Sequence, residues 1–410
     1  MTTTATREGP PSVATVLISM PLPCNGAGVS YTCTSIARSF DRSALGVGIF
    51  TPYGHAGVKA SIRLTETMPA ALRFLPFWRI RGLVTRLNER SYLQGLRRAA
   101  ADGKVIAYVW PEPAVSIVRQ IRDAGIPIVR ESVNCHLATA KKILDAEYLR
   151  IGLTPRNPLS TEAIDFERQA LDIYDVVFCP SPLVEQSLID NGVARHKIRS
   201  VNFGWDPDRF RGHSKALAPI DGPTFIFVGS ICIRKGAHLL LQYWARSRIR
   251  GRLILVGHVE PAITEVCAEQ LVRQDVQVIN YTRDLGPYYR SADAFVFPSL
   301  EEGGPLVTHE AAGCQLPLIT SPMGAARVAV DKSTGFIVDP FDEAGWIGAM
   351  RALADDRELG RRMGLAAHQK ALQFTWEKVG EARSRVFHDI ASNPAERPSE
   401  PAPPALASNA

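Results

Sequence analysis

The stretch FVFPSLEEGGPLVTHEAAGCQLP, residues 295–317, is the most specific segment of the sequence. Its apolar beginning predicts a buried strand over 294–298, and the two glycines indicate a loop before a helix. Glu302 lies in that loop, and Glu310 lies in the first turns of the helix. Because open α/β sheets bind ligands at the carboxyl ends of their parallel strands, the pattern predicts two carboxylates at one ligand site.

The two carboxylates suit a vicinal diol, such as that of a sugar or a ribose. A buried carboxylate accepts charge-assisted hydrogen bonds worth about 1.5–3 kcal/mol each. Gly303 and Gly304 let the backbone approach a ligand closely, and the helix start beyond them presents free N–H groups to an anion. The alternative to a ligand site is a helix that only packs in the core, with a glutamate as its cap.

A second segment, TFIFVGSICIRKGAHLLL (224–241), contains a strand that ends at Gly229. Arg234, Lys235 and Gly236 then begin a helix, where cations complement a diphosphate. A basic residue at a helix start is more often only solvated. In the same domain as the glutamate loop, these residues nevertheless predict a nucleotide diphosphate site.

Both halves of the chain alternate apolar runs with helical patterns, which is typical of right-handed βαβ units. One predicted helix covers 83–101 in the first half. Between Val201 and Gly222 the pattern breaks into a segment rich in Gly, Pro and Asp, where we place a linker. The sequence therefore predicts an α/β fold of two doubly wound parallel-sheet domains.

Composition excludes several classes of protein. The 410 residues carry a net charge of +6, and the 7 cysteines form no CxxC pair. We therefore expect reduced thiols in a cytoplasmic protein rather than a small disulfide scaffold. The apolar stretch 13–20 is too short to predict a signal peptide or a transmembrane helix.

The quoted segments, with FGWDPDRF (203–210) and TSPMGAARVAVDKSTGFIVDP (320–340), resemble the retaining glycosyltransferases of family four, the glycosyl transferases group 1. The resemblance is specific over about 224–387. It implies the GT-B fold, in which two Rossmann-like domains face each other across a cleft. It also implies a nucleotide-sugar donor on the C-terminal domain, an acceptor on the N-terminal domain, and transfer with no metal or other cofactor.

Within this resemblance, Glu310 would hold the ribose hydroxyls, Glu302 the donor sugar, and Lys235 the diphosphate. Gly303 and Gly304 would offer backbone amides near the sugar and phosphate. Ser230 stands where the family commonly has arginine after the glycine, so Arg234 is the candidate for the missing phosphate contact. No role is assigned to Arg327, where the family often has glutamate.

The N-terminal half contributes two further candidates. LISMPLPCNGAGVSY (17–31) resembles the family's glycine-rich loop, so Gly26 and Gly28 would approach the donor phosphate; as a dinucleotide fingerprint it is broken at Tyr31. His136 occupies the region where family members carry a histidine facing the donor sugar. Alternatively His136 caps the next helix, and Glu131 or Asn134 points into the cleft.

The predicted domain organisation is listed here in chain order: a flexible N-terminus (1–12), an acceptor-binding Rossmann-like domain (13–205), a linker (206–222), a nucleotide-sugar-binding Rossmann-like domain (223–374), a helix returning to the N-terminal domain (375–390) and a disordered tail (391–410). The DxD-like pair Asp206 and Asp208 falls in the linker, so we interpret it as turn chemistry. No His, Asp or Cys cluster has metal-ligand spacing.

The segment 73–104 is basic, and aromatic residues are interleaved with its arginines. This segment predicts one of two arrangements. Either it contacts an anionic membrane, with the protein peripheral on the inner face, or its basic face is solvated and its apolar stripe packs on the N-terminal sheet. No nucleic-acid module accompanies the charge. Rival functions are a glycoside hydrolase, a sugar-nucleotide epimerase, and a membrane scaffold that has lost catalysis, which Ser230 favours.

Overall fold

The computed structural model describes residues 14–111 and 113–392. The predicted flexible N-terminus lies outside these residues, as does the predicted tail from 393 onward. Residues 391 and 392, which we expected to belong to the tail, form the end of the last helix.

The first part of the described chain forms a sheet of seven parallel strands in the order β3-β2-β1-β4-β5-β6-β7. The strands are β1 Ala14–Ser19, β2 Leu45–Thr51, β3 Leu64–Glu66, β4 Val105–Val109, β5 Ile128–Glu131, β6 Val176–Cys179 and β7 Ile198–Ser200. The helices are α1 Gly28–Arg38, α2 Ala56–Lys59, α3 Phe77–Asp102, α4 Val115–Asp123, α5 Leu137–Arg150, α6 Thr161–Ile173 and α7 Pro182–Asp190.

A second sheet follows, with six parallel strands among the described residues, in the order β10-β9-β8-β11-β12-β13. The strands are β8 Thr224–Val228, β9 Arg252–Val256, β10 Val276–Ile279, β11 Ala294–Phe297, β12 Leu318–Thr320 and β13 Gly335–Ile337. The helices are α8 Ala237–Ser247, α9 Pro261–Leu271, α10 Gly286–Tyr289, α11 Leu306–Gly313, α12 Glu343–Asp355, α13 Arg357–Ala371 and α14 Trp376–Ser392.

The predicted α/β class with two doubly wound parallel sheets is confirmed. Strands such as β4 (VIAYV) and β8 (TFIFV) are buried along their whole length, because helices cover both faces of each sheet. The strand order reverses between β1 and β4 in the first sheet and between β8 and β11 in the second. These two switch points are where a doubly wound sheet opens a crevice for ligands.

Helix α3 begins at Phe77, six residues before the predicted start at 83. Gly82 lies inside this helix, although glycine costs about 1 kcal/mol in a helix interior. The helix nevertheless continues through it. Among the described residues, no helix is both long enough and apolar enough to cross a membrane.

The chain crosses between the two sheets twice, and the two crossings lie side by side. The Trp205 N–H donates to the Phe374 carbonyl at 3.1 Å, and the Trp376 N–H donates to the Trp205 carbonyl at 3.2 Å. The indole Nε1 of Trp205 donates to the Ala371 carbonyl at 2.8 Å. The domain boundaries at 205, 222 and 374 stay predictions.

Helix α14 packs on the first sheet. The Phe387 ring lies 5.3 Å from that of Phe40 and 5.2 Å from that of Tyr108. The fully buried Arg383 donates from Nη2 to Glu131 Oε1 at 2.6 Å and from Nε to Oε2 at 3.1 Å. Its Nη1 donates to the Asn202 carbonyl at 2.7 Å, and Tyr108 donates its hydroxyl to Glu131. The suggestion that Glu131 points into the cleft is therefore wrong, because both carboxylate oxygens accept hydrogen bonds that attach α14 to the first domain.

Candidate active site

The centre of the candidate site is an ion pair between the β8–α8 turn and the β11–α11 loop. Lys235 donates its ammonium to Glu302, and the Ser299 hydroxyl donates to the same carboxylate oxygen at 3.0 Å. Glu302 is only 6% exposed. Gly236 makes this contact possible, because a β-carbon there would overlap the Pro298 carbonyl and push the two segments apart.

Arg234 lies beside this pair and contacts Glu301, which sequence reasoning missed. Its Nη1 donates to the Glu301 carbonyl at 2.9 Å and lies 3.2 Å from Glu301 Oε2 and 3.6 Å from Glu302 Oε1. Two cations and two carboxylates thus share one cluster. The Arg234 side chain remains 32% exposed, so the cationic edge of the cluster faces solvent.

The pKa values of the two glutamates in the cluster are shifted in opposite directions. Burial alone would raise the pKa of Glu302, but Lys235 and Arg234 together hold that pKa below its ordinary value. Burial raises the pKa of Glu301, because Arg234 and the hydrogen bonds from Cys135 offset it only in part and the neighbouring Glu302 opposes its ionisation. Glu302 is therefore the member of the pair that the site keeps charged.

Glu310 lies on α11, with partners that the sequence did not reveal. The Tyr289 hydroxyl donates to Glu310 Oε2 at 3.3 Å, and Arg209 Nη1 lies 3.5 Å from Oε1. Burial raises the pKa of Glu310, and Arg209 offsets this only in part. The Arg209 guanidinium also lies over the Tyr31 ring, 5.4 Å from its centroid, and so joins α1 to the second domain.

The predicted glycines fall into two groups. Gly26 and Gly28 have φ angles of +76° and +54°, and no atom lies within 4 Å of a β-carbon built on either, so the loop borders open space. Gly303 and Gly304 instead pack against the first domain. A β-carbon at Gly303 would overlap the Val133 carbonyl oxygen, and one at Gly304 would lie 2.8 Å from the Phe203 ring.

Among the described residues, no group of three or more His, Cys, Asp or Glu side chains is arranged to hold a metal ion. Asp206 Oδ1 accepts from the Asp208 N–H at 2.9 Å, which is turn geometry. Metal independence stays a prediction.

The match with known proteins falls on the half of the chain that holds this cluster. Residues 222–356 match the family model of the glycosyl transferases group 1. These residues belong to that family. The resemblance seen in the sequence is thereby confirmed over the group 1 segment, which contains Glu302, Lys235 and Glu310.

Curated relatives of the chain include D-inositol 3-phosphate glycosyltransferases. That of Kineococcus radiotolerans is 27% identical over 273 residues, which is 57% of this chain and 62% of the relative. That of Xylanimonas cellulosilytica is 32% identical over 181 residues, which is 41% of this chain and 43% of the relative. The chain thus matches less than two thirds of the length of these relatives.

Solved structures resemble both domains. Sucrose-phosphate synthase from Thermosynechococcus elongatus gives a TM-score of 0.71 at 18% identity and covers 92% of this chain and 99% of its own. Anabaena HepE in complex with UDP-glucose gives 0.63 at 14% identity, with the same coverages. These likenesses establish the GT-B fold for the chain.

Within the group 1 segment, the predicted residue Ser230 is exposed just after β8, directly following Gly229. The Arg234 guanidinium is held on Glu301. The phosphate contact expected from Arg234 therefore requires the guanidinium to turn from Glu301 or to bind phosphate with its exposed edge.

His136 is the N-cap residue of helix α5. Its Nδ1 accepts from the Ala138 N–H at 3.1 Å, and its Nε2 lies 3.5 Å from Glu167 Oε2. The side chain is fully buried, and burial lowers the pKa of the ring. This geometry agrees with the alternative in which His136 caps the helix. It does not place the ring at the predicted position facing the donor sugar. The other alternative, Asn134, is exposed.

Cys135, beside His136, contacts the group 1 segment directly. Its N–H donates to Glu301 Oε1 at 3.3 Å, and its sulfhydryl lies at the same distance from that oxygen. Glu301 could have been suspected only as the neighbour of Glu302 in the Glu-Glu pair. The sequence did not predict a role for Arg209, because nothing distinguishes it from the other polar residues of the linker.

Proposed function

We propose that this chain is a retaining glycosyltransferase that moves a sugar from a nucleotide-diphosphate donor to a hydroxyl of a saccharide, lipid-linked or small-molecule acceptor, without a metal. The observation that carries the proposal is the cluster of Lys235 and Arg234 around Glu302, with Glu310 on the same edge of the second sheet. It combines a cationic edge for a diphosphate with carboxylates for two sets of hydroxyls.

The chemistry requires the diphosphate to leave while positive charge develops at the anomeric carbon. Lys235 and the exposed edge of Arg234 would stabilise the leaving phosphate, a preorganised effect worth several kcal/mol. Glu302, held ionised by these cations, would orient the donor sugar. Retention of anomeric configuration follows from the family's attack on the same face as the leaving group.

The remaining binding roles follow from position. Glu310 would accept hydrogen bonds from the ribose, with Tyr289 fixing one of its oxygens. Gly26 and Gly28 leave room for a donor phosphate beside the first domain. HepE binds UDP-glucose with the same fold, so UDP is the first nucleotide to try. We place the protein in the cytoplasm, in saccharide biosynthesis, with a peripheral membrane contact through 73–104.

A thermal-shift panel of UDP, GDP, ADP, dTDP and NAD, each with and without EDTA, tests the proposal. A nucleotide at 100 times its dissociation constant adds about 2.7 kcal/mol to the free energy of unfolding. We expect one nucleoside diphosphate to stabilise the protein regardless of EDTA. Stabilisation by none of them contradicts the proposal and favours the scaffold, and loss of the shift in EDTA contradicts metal independence.

A donor-consumption assay separates the remaining rivals. An epimerase converts the nucleotide sugar without an acceptor, and a hydrolase releases sugar from a glycoside without any nucleotide. For a transferase we expect donor turnover to rise when an acceptor is added.

A further inference from the structure

A cavity of about 810 Å³ lies in the first domain beside the candidate active site. The first half of α3 forms one wall, and the first half of α6 forms another. Val133 and Cys135 also line the cavity. Val133 contacts Gly303 and Cys135 contacts Glu301, both in the β11–α11 loop. A ligand in the cavity would therefore approach the donor from the first domain.

The charges of the cavity wall favour an anion. The acidic side chains there have partners: Glu89 accepts from the Ala114 N–H at 2.8 Å, and Glu167 accepts from Arg130 at 2.7 Å. Arg81 and Arg86 also line the cavity, and neither forms an ion pair with another described residue.

Apolar side chains complete the wall of the cavity. They include Pro111, Pro113, Val115 and the half-exposed Phe166. A cavity with two available guanidinium groups and apolar walls fits a phosphate group that is attached to an apolar chain.

The wall formed by α3 continues out of the cavity as exposed surface. At 3.6 residues per turn, positions 78, 82, 85 and 89 share one helix face, and 82, 85 and 89 line the cavity. Further along the same face Leu96 is buried in the core. At the other end, Trp78 is 73% exposed.

The surface around Trp78 is both apolar and basic. Phe74, just before the helix, is 90% exposed, and Leu75 and Leu83 are also exposed. The arginines of this stretch, namely Arg73, Arg79, Arg81, Arg86 and Arg90, are exposed as well. Exposed aromatic side chains with surrounding cations match the interface of an anionic bilayer, which attracts cations.

We propose that residues 74–90 dock on an anionic bilayer and that the adjoining cavity takes the phosphate-bearing head of a lipid acceptor. The proposal rests on the proposed function, since it names the acceptor class of the same reaction. The bilayer would hold the cavity mouth at its surface and present the lipid head to the donor site.

Tryptophan fluorescence tests the docking directly. The tryptophans other than Trp78, which are Trp110, Trp205, Trp244, Trp346 and Trp376, are all buried. Vesicles of phosphatidylcholine with about 30% phosphatidylglycerol and brominated acyl chains should therefore quench Trp78 selectively. Vesicles of phosphatidylcholine alone should quench much less.

A matched pair of variants checks that Trp78 causes the binding. Trp78→Ser should lower the affinity for the anionic vesicles at least about tenfold. Val272→Ser removes an apolar side chain that is 81% exposed on the second domain, and it should leave that affinity unchanged. The docking is overturned if the wild type does not bind the vesicles or if both variants bind like the wild type.

Charge reversal on α3 tests the place of the lipid head. Arg81→Glu with Arg86→Glu changes the cavity wall, whereas Arg97→Glu with Arg98→Glu makes the same charge change farther along the helix. We expect the first pair to lower vesicle affinity at least about tenfold more than the second. Equal losses would indicate attraction to the surface alone and would overturn the assignment of the cavity.

Soluble sn-glycerol 3-phosphate distinguishes the lipid from a free phosphate. We expect it neither to stabilise the protein nor to displace it from vesicles. Tight binding of this compound without vesicles would overturn the lipid as the occupant.

Nucleotide affinity, measured on the same preparations, keeps the two proposals separate. Trp78→Ser should bind the nucleoside diphosphate like the wild type. Vesicle binding without nucleotide binding would contradict the proposed function alone. Nucleotide binding without vesicle binding would contradict the membrane proposal alone.

Discussion

Glu131 and Glu302 are both buried glutamates near the carboxyl ends of parallel strands, and each is paired with a cation. Arg383 gives Glu131 two hydrogen bonds and is itself fully buried, so every group of that pair has its partners inside the protein. Lys235 and Arg234 pair with Glu302, but the Arg234 guanidinium remains partly exposed. Burial and pairing of a glutamate alone therefore do not indicate a ligand site; the exposure of the paired cation distinguishes Glu302 from Glu131.

The largest expected effect is on the structural pair. Arg383→Ala leaves Glu131 buried without its cation, and we expect the free energy of unfolding to fall by about 3–5 kcal/mol. Urea denaturation measures this, with Arg385→Ala, an exposed arginine on the same helix, as the control. A loss no larger than that of the control would show that the pair does not hold α14.

Replacing both members of the pair sharpens this result. Glu131→Gln with Arg383→Met removes both charges and keeps the volume, so it should recover much of the stability lost in Arg383→Ala.

The second effect is on turnover. Lys235→Ala should lower the rate of sugar transfer by about 10²–10³-fold, because the leaving phosphate loses its cation. Stability should change far less than in Arg383→Ala, since Arg234 remains 3.6 Å from Glu302. Donor turnover and urea denaturation are both measured, with the exposed Lys142→Ala as the control. Unchanged turnover in the folded variant would remove Lys235 from the site.

The third effect is on donor affinity. Glu310→Gln should weaken nucleotide binding by about 1.5–3 kcal/mol, because a charge-assisted bond to the ribose is lost. Burial raises the pKa of Glu310 above the ordinary glutamate value of 4.5. As the pH is lowered, the nucleotide affinity of the wild type should therefore begin to decline before the pH reaches 4.5. Calorimetric titration across pH checks both points, and the glutamine variant should lack that part of the decline. Equal affinities at neutral pH would refute the ribose assignment.

The smallest effect concerns stability against pH. The folded-state pKa of Glu302 lies below its ordinary value, so its contribution is present above the unfolded pKa and is lost as pH falls through the folded pKa. The pKa of Glu131 is raised by burial, so protonation of Glu131 on acidification favours the folded state. Denaturation at a series of pH values should therefore show opposite changes of slope in Glu302→Gln and Glu131→Gln. Slopes that change in the same direction would contradict the comparison.

Local patterns in the sequence predicted one of these two regions and not the other. Glu302, Glu310 and Lys235 lie in strand–turn–helix segments, whose spacing alone brings them to one edge of a sheet. Arg383 is 252 positions from Glu131, and nothing in the sequence near either residue selects that partner. Such a pair depends on how α14 returns to the first domain, which only the tertiary structure reveals.

The misplaced candidates have physical reasons. His136 stands directly before a helix, where its ring satisfies a free N–H group, so the local capping alternative prevailed over the cleft. Glu301 joins the site because the first domain supplies Cys135 to its carboxylate, a contact between distant parts of the chain. The start of α3 was placed too late because its first turn is largely exposed, so no buried periodic pattern in the sequence marks where the helix begins.

The two chain crossings at Trp205 and Phe374–Trp376 bear on how the domains move. Because hydrogen bonds tie the crossings together, both must bend at the same place when the cleft opens. Any rotation of the two domains would then be centred on one joint rather than on two separate ones. Each closure would return Gly303 to Val133 along the same arc, so the alignment of donor and acceptor would be reproduced in every cycle.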